Sequence, residues 1–241
     1  MKCKTSVKNS LVITCLLIIF LSIITTCEKE ESNKHITDID GNKYSTITIG
    51  SQVWLGENLK TTRNNDGTAI PLVTDNNTWG ALSTPAYCWY DNDEASHKNI
   101  YGALYNWYAV ETGKLCPDGW HVPTDSEWKK LEMYLGMSQS EADNTGFRGT
   151  GEGGKLKEAG TTHWSDPNEG ATNESGFTAI PGGLRKETGA FDRYGYLGAW
   201  WSATENDASS AWYRRLNYSS SYMDRANFDK RNGFSVRCVR D

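Results

Sequence analysis

Residues 116–128 read Cys116-Pro-Asp-Gly-Trp-His-Val-Pro-Thr-Asp-Ser-Glu-Trp128, and they contain the clearest helix start in the chain. The Thr124 side chain can accept a hydrogen bond from the amide of Glu127 while the Glu127 side chain reaches back to Thr124, which is a reciprocal capping box. Apolar residues then recur on one helical face from Trp128 until Gly136, which ends the pattern. The sequence therefore predicts an amphipathic helix that packs one side against a core.

Short strand patterns flank this helix on both sides. The predicted hairpin turn and strands are residues 39–44, 47–49, 52–54, 200–203, 212–216 and 233–240. In the last of these, Phe234, Val236 and Cys238 are expected to alternate inward. A second helix is predicted over residues 99–110. The stretch from Gly146 to Gly198 is glycine-rich and polar, which predicts long loops.

The N-terminus has the three parts of a bacterial signal peptide. A lysine-containing start precedes an apolar run from Leu11 to Ile24, which is shorter than the roughly 20 residues of a spanning helix, and Cys27 follows it closely. The end of the run, Ile24-Thr-Thr-Cys27, resembles a lipobox. We expect residues 1–26 to be removed, Cys27 to be lipidated, residues 27–35 to form an acidic tether, and residues 36–241 to form one domain. Charged residues directly after the cysteine resemble the signal that exports lipoproteins of Bacteroidetes, so an outer-membrane or cell-surface location is predicted.

Composition restricts the partners of the mature chain. Removal of residues 1–26 takes away three lysines and no acidic residue, so the formal charge changes from −5 to −8. Nucleic acids and anionic headgroups require a basic surface, which argues against either as a ligand. The membrane is therefore expected to be contacted through the lipid anchor. All ten tryptophans lie in the mature chain, which favours short strands around an aromatic core.

Three cysteines remain in the domain: Cys88, Cys116 and Cys238. An oxidising compartment favours pairing, and an odd number leaves one thiol over. We predict a bridge between Cys116 and Cys238, which would tie the middle of the chain to its last strand, with Cys88 free or buried.

Several motifs, in order along the chain, resemble the Fibrobacter succinogenes major paralogous domain. They include Tyr101-Gly-Ala-Leu-Tyr-Asn-Trp107, the stretch quoted first, and residues 38–44, 49–60, 181–183, 201–205 and 233–238. That family is similar in fold to formylglycine-generating enzymes and C-type lectins. The resemblance implies an irregular α+β domain with few strands, two main helices and long loops. It also implies that Cys116 and Cys238 lie where such a domain would bridge, and it supplies no established activity.

Candidate metal and catalytic groups are sparse. The acidic turns Asp91-Asn-Asp-Glu94 and Glu205-Asn-Asp207 offer oxygen ligands for calcium, although the first departs from the EF-hand pattern and a solvated turn is the favoured interpretation. No other metal or cofactor is predicted. We interpret His121 as structural, because its neighbour Cys116 is predicted to be bridged. With Cys88 alone left as a thiol, the copper-binding cysteine pair of formylglycine-generating enzymes is not reproduced, and fold does not fix function.

The remaining signal is a mixture of aromatic and charged residues in or beside the loop region. Rings with nearby carboxylates and guanidinium groups suit a sugar or an extended peptide, although the same rings could fill the core. The predicted contact residues are Trp164, Asp192, Arg193, Tyr194, Glu205 and Arg214. We therefore predict a non-catalytic surface module that binds a glycan, matrix or protein ligand. The alternative is an exported enzyme of unknown reaction, which would need carboxylates and Cys88 to converge in one deep cleft.

Overall fold

The computed structural model describes residues 35–240. The predicted signal peptide, Cys27 and the tether as far as residue 34 lie outside the described residues. Among residues 35–240, no helix is both long enough and apolar enough to cross a bilayer.

The N-terminal strands bring the beginning and the end of the domain together. β1 (Ile36–Thr37) pairs with β2 (Lys43–Tyr44) around the predicted turn, and β3 (Thr46–Ile49) pairs with β4 (Gln52–Leu55). Gly50 adopts a φ of 62°, which the tight turn between β3 and β4 requires. The last strand, β13 (Val239–Arg240), pairs with the free edge of β4 and gives the sheet order β13-β4-β3.

The remaining strands form one larger sheet and two small pairs. They are β5 (Tyr87–Cys88), β6 (Leu104–Tyr105), β7 (Gly146–Arg148), β8 (Leu184–Arg185), β9 (Phe191–Asp192), β10 (Leu197–Glu205), β11 (Ser210–Asn217) and β12 (Met223–Asp229). The larger sheet is antiparallel with the order β10-β11-β12-β7, whereas β5 pairs with β6 and β8 pairs with β9. Strands and helices are mixed without a βαβ repeat, so the fold is α+β.

Six short helices are assigned within residues 35–240. They are α1 (Asn76–Gly80), α2 (Glu94–Tyr101), α3 (Trp107–Glu111), α4 (Asp125–Tyr134), α5 (Gln139–Asp143) and α6 (Glu152–Leu156). Both hydrogen bonds of the predicted capping box are present at the start of α4. The Glu127 carboxylate of this capping box also contacts the Nε2 atom of His121 at 2.6 Å, which gives this histidine a structural role.

The predicted helix over residues 99–110 is wrong. α2 ends at Tyr101, Gly102 turns the chain with φ 74° and ψ −168°, and the next residues form β6 before α3 begins. A Cβ atom at Gly102 would lie 2.7 Å from the carbonyl oxygen of Leu59, so the backbone approach itself requires glycine. The helical spacing of apolar residues across this break arises because two short elements face the same core.

The predicted strand at residues 233–240 is much shorter than expected. Only β13 is a regular strand there, and residues 233–239 are buried without alternation, including Ser235 and Arg237. The alternation is absent because the segment is packed between two other parts of the protein. The Ser235 amide donates to the carbonyl of Ala199 in β10, and the Val236 carbonyl accepts from the amide of Leu59. A segment enclosed in this way has no solvent face.

The core is largely aromatic. One cluster joins α4 to the larger sheet through Trp54, Trp128, Trp164, Phe177 and Trp200, and a second surrounds Trp107, Trp201, Tyr213 and Phe234. The predicted disulfide between Cys116 and Cys238 is confirmed and belongs to the second cluster, with its Cα atoms 6.0 Å apart. Cys88 is free and buried, as expected.

Candidate ligand-binding groove

Trp164 does not lie on a binding surface, and its predicted role is wrong. The residue is 1% exposed, its Nε1 atom donates to the carbonyl of Ala179 at 2.9 Å, and the Lys157 ammonium lies 5.4 Å from its ring centroid. The glycine-rich stretch is a loop in backbone terms, yet it carries this tryptophan into the core. An aromatic ring in a polar loop was the reason for predicting a contact residue. The structure supports the other interpretation of this ring, which is that it fills the core.

Arg214 is also buried, so its predicted contact with a ligand is wrong. Its Nη1 atom lies 2.8 Å from Asp125 Oδ1 and its Nε atom 2.5 Å from Glu132 Oε1, and both carboxylates belong to α4. Arg225 on β12 reaches the same Asp125 at 2.8 Å. The guanidinium groups thus fasten α4 to the sheet, because this face of β11 is covered by the helix.

Glu205 is accessible but lies apart from the other predicted residues. It ends β10, its side chain is 49% exposed, and its Oε1 atom lies 2.5 Å from the ammonium of Lys230. That ammonium is 4.6 Å from the ring centroid of Trp107. The Glu205 carboxylate and the Trp107 ring therefore both bind the ammonium group of Lys230.

The structure does bring Asp192, Arg193 and Tyr194 together, at one exposed turn. The Tyr196 amide donates to the Arg193 carbonyl at 3.0 Å, and Gly195 has a φ of 78° at the third position, as a type II turn requires. Arg193 itself has a φ of 65°, which is uncommon for a residue other than glycine. The turn projects the Arg193 side chain, which is 61% exposed, into solvent.

A groove passes beside this turn. It consists of three adjoining cavities, which share lining residues. The inner cavity, of about 260 Å³, is lined by Lys186, Asp192, Arg193, Arg215, Phe228 and Asn232 among others. The middle cavity, of about 400 Å³, shares Glu187 and Phe228 with it, and the outer cavity, of about 330 Å³, shares Asp229 and Arg231 with the middle one. Elongated ligands fit such a series better than compact ones do.

The charges along the groove are mostly paired with one another. Lys186 lies 2.8 Å from Asp192, Arg231 lies 2.6 Å from Asp229, and Arg215 lies 2.5 Å from Asp224 just behind the lining. The hydrogen bond from Lys186 lowers the pKa of Asp192 below its ordinary value, so the pair remains charged at neutral pH. The groove therefore presents fixed donors and acceptors with little net charge.

Several groove residues were not predicted from the sequence. Phe228, Asp229 and Asn232 lie on or next to β12, and β12 was itself missed because the run from Met223 to Asp229 is mostly polar. The serine-rich turn at residues 217–222, between two possible strands, was the available signal for a hairpin.

Tyr194 contributes to an aromatic cluster at the turn. Its ring centroid lies 5.0 Å from those of Tyr90 and Tyr101 and 5.1 Å from that of His97, and its hydroxyl is 3.0 Å from the Tyr101 hydroxyl. Burial and then the Tyr194 hydroxyl raise the pKa of Tyr101 above its ordinary value. Tyr194 is 38% exposed, so one part of its ring anchors the turn while the rest faces solvent.

The acidic turns considered for calcium use their oxygens within the protein. Asp93 caps α2 by accepting from the Ser96 amide, Glu94 pairs with Lys98 at 2.7 Å, and Asp207 accepts from the Ser209 and Ser210 amides. Among residues 35–240, no group of three or more His, Cys, Asp or Glu side chains is arranged to hold a metal ion.

A further cavity, of about 550 Å³, lies where the chain enters the domain. It is lined by residues 35–39 with Asp118, Trp120 and Arg240. It shares no lining residue with the groove and contains none of the predicted contact residues. We therefore place the candidate site in the groove.

Comparison with known families identifies the class of domain. The chain belongs to the Fibrobacter succinogenes major domain family, whose model matches residues 47–240. Searches among curated proteins and among solved structures give no significant match. The family match includes every residue that lines the groove, and the family has no known molecular function.

Proposed function

We propose that this protein is a lipid-anchored module of the outer membrane or cell surface that binds a glycan, matrix or protein ligand without chemically altering it. The anchor and location rest on the sequence around Cys27. The groove is proposed as the binding site, with Asp192 and Arg193 as contact residues and Tyr194 as the support of the turn.

One observation carries this proposal. Two of the predicted contact residues, Asp192 and Arg193, line the inner of three adjoining cavities, and the ion pairs Lys186–Asp192 and Arg231–Asp229 lie along these cavities. Preformed clefts with fixed polar groups and an exposed aromatic ring are typical of binding sites.

The alternative of thiol chemistry receives no support from Cys88. Burial raises the pKa of its thiol to about 12, and its side chain is fully enclosed. The other two cysteines of the domain form the disulfide. A reactive thiol needs exposure and a lowered pKa, so the chemistry of formylglycine-generating enzymes has no counterpart in these residues.

We also infer kinship in fold with C-type lectins and formylglycine-generating enzymes. Three features support it: β13 pairs with β4 near the entry of the chain, long irregular segments separate many of the short strands, and the β8–β9 hairpin supplies one wall of the groove.

The test uses the full chain purified in detergent, probed on a glycan array and against a panel of matrix proteins. Lys186→Ala combined with Arg193→Ala should weaken binding of the ligand found by about tenfold or more, as loss of contact residues does. Lys114→Ala is the matched control for the lysine: Lys114 pairs with Asp66 at 2.8 Å, as Lys186 does with Asp192, but far from the groove. A ligand that binds the double variant normally would place the site elsewhere, and conversion of the ligand to a product would show an enzyme.

A further inference from the structure

Two polar atoms beneath the inner cavity of the groove lack a hydrogen-bond partner among the described residues. Asn232 is fully buried, and its Nδ2 atom donates to the Asp229 carbonyl at 2.9 Å, but its Oδ1 atom receives no donor. Arg215 pairs with Asp224 through Nη2, while its Nε atom has no acceptor. Both residues line the same cavity. Buried polar groups without a partner destabilise a fold, so a cavity whose lining residues include two such atoms needs an explanation.

The chemistry of these two atoms restricts the ligand. Asn232 Oδ1 needs a donor and Arg215 Nε needs an acceptor. A carboxylate or phosphate only accepts and an ammonium only donates, so neither could serve both atoms. A hydroxyl group donates and accepts at once, and a ligand with several hydroxyl groups can meet both needs.

The charges that line the groove also favour an uncharged ligand. Lys186, Arg215 and Arg231 each have a carboxylate within 2.8 Å, and Arg193 lies 3.8 Å from Asp192. A charged ligand would have to compete with these pairs and would be desolvated for little Coulomb gain. An uncharged ligand leaves them intact and can still bond to their remaining donor and acceptor positions.

Phe228 supplies the apolar surface. Its residue is 42% exposed, and its ring is held from behind by Tyr213, with ring centroids 5.3 Å apart. It lines both the inner and the middle cavity. A flat ring fixed by packing and bordered by polar groups matches the apolar face and hydroxyl rim of a sugar.

We propose that the ligand of the groove is an uncharged oligosaccharide, with one sugar ring stacked on Phe228 and hydroxyl groups directed to Arg215 and Asn232. This inference rests on the proposed binding function and narrows its ligand class. The neighbouring cavities would hold further sugar units on either side of Asp229 and Arg231.

The experiment is titration calorimetry of the full chain in detergent with neutral, uronic-acid and sulfated oligosaccharides of equal length. We expect a neutral oligosaccharide to bind best, with a dissociation constant that changes less than about twofold between low and high salt, because screening acts only on charge–charge attraction. Phe228→Ala should weaken binding by about tenfold. Tyr222→Ala is the matched control: Tyr222 is 47% exposed next to the start of β12, but it lines none of the three cavities.

The outcomes distinguish a wrong ligand class from a wrong binding site. Preference for the sulfated or uronic-acid probes, or equal losses in the Phe228→Ala and Tyr222→Ala variants, would overturn the neutral-sugar assignment. So would the absence of binding by every neutral probe. A protein ligand sensitive to Lys186→Ala with Arg193→Ala would then leave the groove as a binding site with a different ligand class. If Phe228→Ala lowers the melting temperature, Phe228→Leu, which keeps an apolar side chain but removes the flat ring, provides the same test of stacking with the packing largely retained.

Discussion

Trp164 and Tyr194 show how differently two aromatic residues of one loop region are used. Trp164→Ala should destabilise the domain by ~3–5 kcal/mol, because it removes a fully buried indole and the hydrogen bond from its Nε1 atom to Ala179. Tyr194→Ala should cost clearly less, since 38% of that residue is exposed. Urea unfolding followed by circular dichroism measures both. Equal losses would mean that Tyr194 is as much a core residue as Trp164.

Asp125 gives the domain a specific dependence on pH. Burial raises its pKa, but the hydrogen bonds from Arg225 and the charge of Arg214 outweigh this effect and hold the pKa well below the ordinary value of 3.8. The unfolded chain therefore binds this proton more readily than the folded protein does. Its contribution to stability is present above pH ~4 and is lost as the pH falls below that value.

Asp125→Asn is the corresponding experiment. It leaves Arg214 and Arg225 without a carboxylate that both contact at 2.8 Å, and the expected loss at pH 7 is ~3–5 kcal/mol. The difference in unfolding free energy between the native protein and the variant should shrink as the pH falls through 4. A difference that stays constant from neutral to acidic pH would show that the charge of Asp125 is not what stabilises the contact.

At the scale of elements, Gly102 decides where α2 ends. Gly102→Ala should destabilise the domain by ~2–4 kcal/mol, because alanine is strained at this φ and its Cβ would lie 2.7 Å from the Leu59 carbonyl oxygen. Gly67→Ala is the control, since Gly67 also has a positive φ, 86°, but nothing within 4 Å of its Cβ position, and we expect it to cost only ~1–2 kcal/mol. Thermal melts of both variants distinguish steric contact from backbone strain; equal losses would contradict the contact.

The elements that the sequence predicts correctly are those specified by neighbouring residues. The capping box of α4 and the turn between β3 and β4 depend on side chains and a glycine within four positions of one another. The errors concern contacts between distant segments. Helical spacing around Gly102 gave no sign of the Leu59 carbonyl, and the alternation in β11 could not reveal that α4 covers Arg214.

In the candidate site, too, the residues that are close in sequence were predicted and the contacts between distant segments were not. Asp192, Arg193 and Tyr194 are adjacent in sequence and share one turn, so grouping them required no tertiary information. Their opposite wall is formed by Arg215, Phe228 and Asn232, which reach the groove only because β11 and β12 pair and the β8–β9 hairpin lies beside them. The position of Trp164 depended on which segments enclose it, which composition alone does not reveal.

At the scale of the whole molecule, the last residues of the domain are tied to its middle and to an early strand. The disulfide joins residues 122 positions apart, and β13 pairs with β4 beside it. A bridge over so long a loop reduces the entropy of the unfolded chain by an amount equivalent to ~4–5 kcal/mol. Such closure suits a domain that functions in an oxidising compartment without a large aliphatic core.

The proposed anchor would determine how such a domain meets its ligand. Seven residues separate Cys27 from His35. Even fully extended, this stretch reaches only about 25–30 Å. A module bound to the membrane by a lipid on Cys27 would therefore remain close to the headgroups, and its ligand would have to be a component of the surface or come to it.

Cys27→Ser tests the anchor directly. Only a thiol accepts the diacylglyceryl group, so the variant should lose fatty-acid labelling and should either keep its signal peptide or appear in the soluble fraction. Cys15→Ser is the control, because Cys15 lies inside the apolar run of the predicted signal peptide, and its loss should leave labelling unchanged. The measurement is metabolic labelling with a fatty-acid probe, followed by membrane fractionation. Equal labelling of Cys27→Ser and the native chain would refute the lipoprotein assignment, and with it the argument that the groove works at a membrane surface.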